Sequence, residues 1–253
     1  MRAYRAAFDA ADREPRVGLI VAGIGMDAAA SAQAIARLPA AVTLAVSPYA
    51  ADPAPLLAAA RRTGHEYLLS LPMEPQSFPL NDPGPHALRT SATAAANLHQ
   101  LDWALSRFAG YVGVTGALGP HLRGERFAAS AEDMDPVLRD LAGRGLLYVD
   151  PRPGAAPPRF AVGRAVDVVI DQSANAAAID TALARLDRIA ARNGSALGLV
   201  GAPVPVTLAR LVAWSHRLAA AKLVLAPVSA LVSPPRAPAG PVAAAKPGGE
   251  VAK

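Results

Sequence analysis

The strongest constraint on this chain is a rhythm. Eight short, nearly continuous apolar runs fall at residues 17–24, 42–46, 67–71, 111–115, 146–149, 166–170, 196–200 and 222–227. They do not alternate apolar with polar residues, so each predicts a strand buried on both faces, as in a parallel sheet covered by helices. Between them, apolar residues at helical spacing predict helices over 27–38, 53–63, 92–108, 131–144, 175–193 and 205–221. In the fifth of these, Ile179, Leu183, Leu186 and Ile189 share one face, with Asp180, Arg185, Asp187 and Arg188 opposite. Asp52-Pro53 and Ser130 stand where helix N-caps belong, and Gly64, Gly145 and Gly194 where helices end in a left-handed residue. Crossovers repeated in this way give an α/β fold, either an open doubly wound sheet or a closed barrel.

Two stretches break the rhythm. Residues 72–89 hold Pro72, Pro75, Pro79, Pro83 and Pro85, and residues 150–164 hold four more prolines. Long ordered loops in compact domains usually carry function. Residues 233–253 contain Pro, Ala, Gly and Lys without periodicity, which predicts a disordered tail. The expected organisation is an N-terminal extension over 1–15, one domain over 16–232 and the tail over 233–253.

Composition excludes several chemistries. With no cysteine, there are no disulfides, thiolate zinc sites or cysteine nucleophiles. Aromatics make up only 5% of the chain, and its arginines are scattered among acids rather than gathered in a stripe, so no nucleic-acid partner is expected despite a net charge of +5. No run approaches the length of a membrane span, and residues 1–15 lack the apolar core of a signal peptide, although the mature form of an exported protein reads the same.

Gly23-Ile24-Gly25-Met26-Asp27-Ala28 has the spacing of a dinucleotide-binding turn, but the second strand ends Val46-Ser47-Pro48 without the acid that would hold a ribose, so a tight strand-to-helix turn is the simpler reading. None of the five histidines pairs with another at zinc-motif spacing. His65, His99 and His216 read as surface or capping residues, while His121 stands alone in a loop after a strand. Glu74, Asp150 and Asp171 follow strands and should meet at one edge of a parallel sheet. Two readings of them stay open. They bind a cation or do acid–base work, or they cap helices and pair with Arg152 and Arg164.

The string Leu71-Pro72-Met73-Glu74-Pro75, followed by Asn81-Asp82-Pro83-Gly84-Pro85, is distinctive. Gly64-His65-Glu66 precedes it, and Gly113-Val114-Thr115 and Leu147-Tyr148-Val149-Asp150 follow it. Together these resemble the divergent polysaccharide deacetylases, distant relatives of the chitin and peptidoglycan deacetylases, over residues 16–232. The resemblance implies a distorted (β/α) barrel of about seven strands with its site at the carboxyl ends of the strands. It also implies a divalent metal such as zinc, held by one Asp and two His, that activates water against an acetyl group. This chain departs at those places. Ala22 and Gly23 stand where the family has paired aspartates, and Ser70 where it has a His. Thr115-Gly116-Ala117-Leu118-Gly119 replaces a His-bearing turn, and Gly201-Ala202-Pro203-Val204 replaces a Gly-His-Pro-His stretch. A catalytic zinc site needs three protein ligands and an open position, and Ala, Gly and Val supply none.

The sequence therefore predicts a non-catalytic deacetylase-like domain of the bacterial cell envelope or periplasm. It is expected to have no cofactor and no metal site, and its partner is a glycan or an envelope protein. The alternatives are an active carbohydrate deacetylase rebuilt on Glu74, Asp150 and Asp171, and a cytoplasmic binding module. Phe78, Asp82 and His121 are the expected ligand-binding residues. Substitutions at Glu74, Phe78 or Asp82 are expected to spare the fold, and restoring one family ligand, as in Ala117→His, to change nothing.

Overall fold

A computed structural model of the chain describes residues 4–6, 8–9 and 13–234. Residues 1–3, 7 and 10–12 of the N-terminal extension and 235–253 of the tail lie outside these residues, and with them the disorder expected of the tail. Among the described residues the strands are β1 (Arg16–Ile24), β2 (Thr43–Val46), β3 (Tyr67–Ser70), β4 (Gly113–Thr115), β5 (Leu147–Asp150), β6 (Gly163–Ala165), β7 (Val168–Val169), β8 (Ser195–Val200) and β9 (Val224–Leu225). The helices are α1 (Ala28–Arg37), α2 (Ala54–Arg62), α3 (Ala94–Ser106), α4 (Glu125–Ala129), α5 (Ala131–Gly143), α6 (Ala176–Asn193) and α7 (Pro205–Ser215).

Every strand pairing is parallel, in the order β6-β5-β4-β3-β2-β1-β8-β7, with β9 beside the start of β1. β6 and β7 are two halves of one extended run. The first half pairs with β5 and the second with β8, so both edges of the sheet attach to the same piece of chain. Val166 N donates to Asp150 O at 3.0 Å and Asp167 N to Leu197 O at 2.8 Å, carrying that run from one edge to the other. The sheet thus rolls into a distorted (β/α) barrel with staves β1 to β5, β6/β7 and β8.

Burial on both faces explains the continuous apolar runs. In β1, Val17, Leu19 and Val21 pack outward against the helices, while Ile20 and Ala22 point into the barrel with Leu68, Leu147 and Val149. Side chains alternate between faces along a strand, so a stave enclosed on both sides must be apolar at every position. The helices start and stop where local chemistry dictates. Asp27, Ser130 and Asn175 cap α1, α5 and α6 by accepting N–H bonds from Ala30, Asp133 and Ala178. Asp52 Oδ1 accepts from Ala54 N at 3.2 Å at the head of α2. Gly64, Gly145 and Gly194 take φ values of 82°, 67° and 77°.

Three local expectations need correction. The strand expected over 166–170 is confined to β7 inside it, and β6 forms ahead of it, because backbone pairing with β5 rather than apolar content defines β6. The helix expected over 205–221 ends at Ser215 and resumes as a 3₁₀ turn over Ala219–Ala221, closed by Lys222 at φ 54°. That tightening lets Leu218 and Leu223 both enter the core, with Leu223 N donating to Leu218 O at 3.0 Å. His65, expected as a surface or capping residue, is not at the surface: it is 4% exposed, with ring nitrogens 2.8 Å from Val42 O and 3.2 Å from Ile35 O in the last turn of α1.

The amino-terminal end of the barrel is closed by a buried acid. Glu66 is 2% exposed. Its Oε1 accepts from Thr43 Oγ1 at 3.3 Å and Ser229 N at 3.0 Å, and its Oε2 accepts from Ala6 N at 3.4 Å. One carboxylate so ties the start of β2 to the chain's last described turn and to the segment before β1. Glu66→Gln keeps the shape but turns an amide donor toward donors, so it should cost about 1 kcal/mol in urea unfolding. An unchanged unfolding midpoint would show that these bonds do not hold the barrel closed.

Candidate functional site

Parallel strands deliver their carboxyl ends to one edge, and that edge carries Gly23, Ser70, Thr115, Asp150 and Gly201, with Glu74 and Asp171 just beyond it. The edge is shared, but the acids have separate partners. Glu74, 4% exposed, accepts from Arg126 Nη1 at 2.9 Å through Oε1 and from Thr90 N and Oγ1, both at 2.8 Å, through Oε2. Its backbone also joins Leu88 O and Phe127 N, so it staples the 72–89 loop to α4. Burial pushes its carboxyl up, but the Thr90 N–H, the Arg126 guanidinium and the Thr90 hydroxyl together outweigh that and hold it below the usual carboxylate range.

Asp150, also 4% exposed, accepts from Arg152 N at 2.9 Å and Nε at 3.0 Å through one oxygen, and from Nη2 at 2.7 Å through the other. Asp171 accepts from Gly201 N at 2.8 Å and 3.0 Å and from Ala202 N at 3.2 Å, fixing the turn between β8 and α7. Of the pairs that the pairing and capping reading names, only Asp150–Arg152 forms among the described residues: Glu74 pairs with Arg126, Arg164 with Asp167, and Asp171 holds loop amides rather than capping a helix. No group of three or more His, Asp or Glu among the described residues is placed to hold a metal ion.

The centre of the barrel mouth is filled, and a cleft of about 540 Å³ remains to one side of it, lined by Gly23, Leu118, Pro120 and Gly201. The loop over 116–124 crosses it, with Ala117 fully buried and Leu118 3% exposed. Ala117 joins the interior cluster that holds Ala22, Ala45, Val149 and Val169. Pro120 lies so close to Gly201 that a Cβ there would be 2.6 Å from Pro120 Cα, so the two backbones meet only because residue 201 is glycine. The loop is braced by Leu118 N donating to Leu122 O at 2.8 Å and by Arg123, which reaches Pro120 O and Glu125 Oε1, both at 2.9 Å. At the positions where the resemblance implies metal ligands there are methyl groups at Ala22 and Ala117, and at Ser70 a fully buried hydroxyl without a hydrogen-bond partner among the described residues. Gly23 adopts φ +73° with Gly201 O 3.1 Å from its Cβ position, which disfavours an aspartate there. These residues do not fit a divalent ion.

The expected ligand-binding residues fall into two places. Phe78 lies under the Arg89 guanidinium, 4.9 Å from the ring centre, and Asp82 pairs with the same Arg89 at 3.6 Å. His121 is exposed on the mouth-covering loop. Sequence reasoning missed Arg126 and Thr90 as partners of Glu74, and it missed the filled mouth. The one local signal for the latter is an apolar pair, Ala117-Leu118, inside a loop punctuated by Gly116, Gly119, Pro120 and Gly124.

Comparison with known proteins agrees with this architecture. The sequence profile of the family described as divergent polysaccharide deacetylase matches residues 19–232. No curated protein matches the chain. The crystal structure of an uncharacterized protein from Agrobacterium tumefaciens has a TM-score of 0.82 and 32% identity, covering 91% of this chain and 94% of that one. A family 4 carbohydrate esterase from Streptomyces lividans, solved in complex with acetate, has a TM-score of 0.54 and 15% identity, covering 89% and 99%, which shows a shared fold.

Proposed function

The chain belongs to the divergent polysaccharide deacetylase family, and from that premise we propose that it is a non-catalytic member, a domain of the bacterial cell envelope that binds a glycan without cleaving it. The observation that carries this reading is the filled mouth. Where a deacetylase needs ligands, an open coordination position and room for an acetyl group, this chain has Ala22, Ala117 and the Pro120–Gly201 contact. The rival reading, an enzyme rebuilt on Glu74, Asp150 and Asp171, asks each acid to leave hydrogen bonds that already occupy it.

The glycan assignment follows from the family's polysaccharide substrates and from exposed clefts that remain at the carboxyl edge beside the filled mouth. The envelope placement follows from the same substrates, which bacteria display outside the cytoplasm. No helix among the described residues is long and apolar enough to cross a membrane. Co-sedimentation with insoluble chitin and with peptidoglycan tests the reading. Retention on one of them, unchanged by a chelator, is expected. Loss of retention with chelator would point to a metal in the site, and no retention on either would remove the glycan.

A further inference from the structure

We propose that the glycan enters not the barrel mouth but a cleft beside it, and that this cleft selects a neutral, hydroxyl-rich sugar over a charged one. The inference rests on the glycan-binding reading and adds a place and a charge class to it. The cleft, about 460 Å³, lies between the 116–124 loop, the turn after β7 and the first turn of α7. That size suits a small ligand held by a few convergent polar groups.

Its wall is built of mixed donors and acceptors. Thr207 is fully buried, and its Oγ1 has no hydrogen-bond partner among the described residues. A buried hydroxyl left unsatisfied costs free energy, so one kept in a cleft wall points to a group that satisfies it from the cleft. No side chain caps the end of α7 on which Thr207 sits. Asp171 is held rigid by Gly201 N and Ala202 N, yet a carboxylate can accept about four bonds, so it retains acceptor capacity. Arg123 uses Nη1 on Pro120 and Nε on Glu125, leaving Nη2 available on a fixed guanidinium. His121 and Gln172 are exposed, with no bond to other described residues.

Charge decides the class of ligand. An anion would meet the Asp171 carboxylate, and a cation would meet the Arg123 guanidinium, in the same small cleft. A sugar hydroxyl both donates and accepts, so neighbouring hydroxyls can donate to Asp171 while accepting from Arg123, His121 or Gln172. Pro120 and Val204 supply apolar surface for the C–H face of a sugar ring.

Isothermal titration with three soluble probes tests this: an N-acetylated chito-oligosaccharide (neutral), the fully deacetylated oligosaccharide (cationic) and an oligogalacturonate (anionic). The neutral probe should bind best. The double variant His121→Ala/Gln172→Ala should weaken it about ten-fold, the order expected for two hydrogen bonds. Thr207→Val should weaken it several-fold while leaving the unfolding midpoint equal or higher, an outcome a purely structural hydroxyl would not give. Undiminished binding of the neutral probe by these variants would overturn the cleft and leave the glycan reading standing. Preference for either charged probe would overturn the charge class. Failure of all three probes to bind would overturn the glycan reading and the cleft with it.

Discussion

Ala117→His should lower the stability of the protein by about 3 kcal/mol or more. From sequence alone, restoring one family ligand is expected to do nothing, because one ligand cannot hold a catalytic metal. The structure changes that expectation. Ala117 is fully buried and packs among Ala22, Ala45 and Val149 inside the barrel. An imidazole there must displace interior side chains, at about 1–3 kcal/mol for overpacking. It must also leave ring nitrogens without water, at a further cost on the order of 1–3 kcal/mol. For a domain of this size, 3 kcal/mol corresponds to a fall in Tm of roughly 6–12 °C. Thermal unfolding of the variant checks it. A variant of native stability would show that the mouth has room the packing denies it.

Glu74→Ala should cost about 2–3 kcal/mol at pH 7, contrary to the expectation that substitutions there spare the fold. Removing the carboxylate strands the N–H and hydroxyl of Thr90 and leaves Arg126 without its partner. Arg126 is 46% exposed on its side chain, so water recovers part of its loss and the upper range for a buried pair is not reached. The pH dependence has a definite sign. The folded carboxyl sits below its ordinary value of 4.5, so its contribution is complete above about pH 4.5 and is lost as pH falls through the depressed value. The stability gap between wild type and Glu74→Gln should therefore be widest near neutrality and narrow in acid. A gap that widens in acid would contradict the assignment.

The strand–helix rhythm, the caps at Asp52 and Ser130 and the gathering of strand ends at one edge all follow from local pattern, because periodicity and capping are written in neighbouring residues. β6 escapes that logic. Gly163 and Arg164 have no strand signature and are extended only because β5 offers them backbone partners. The site was legible as a set of positions but not as a set of contacts. Glu74 meets Arg126 across 52 residues, and Glu66 meets Ser229 across 163. Nothing local announces such pairs, so the acids looked available when they were already engaged. The loss of the metal ligands could be read from the resemblance at Ala22, Gly23 and Ser70. That the vacated space is filled by Ala117 and roofed by Pro120 needed three dimensions.

The central claim, that this member of a deacetylase family does not deacetylate, is tested most directly by acetate release. Purified protein is incubated with acetylated chito-oligosaccharides, alone and with added zinc or cobalt, beside a blank without protein. The filled mouth predicts acetate at the level of the blank under every condition. Metal-dependent release above the blank, abolished by a chelator and restored by the ion, would contradict it.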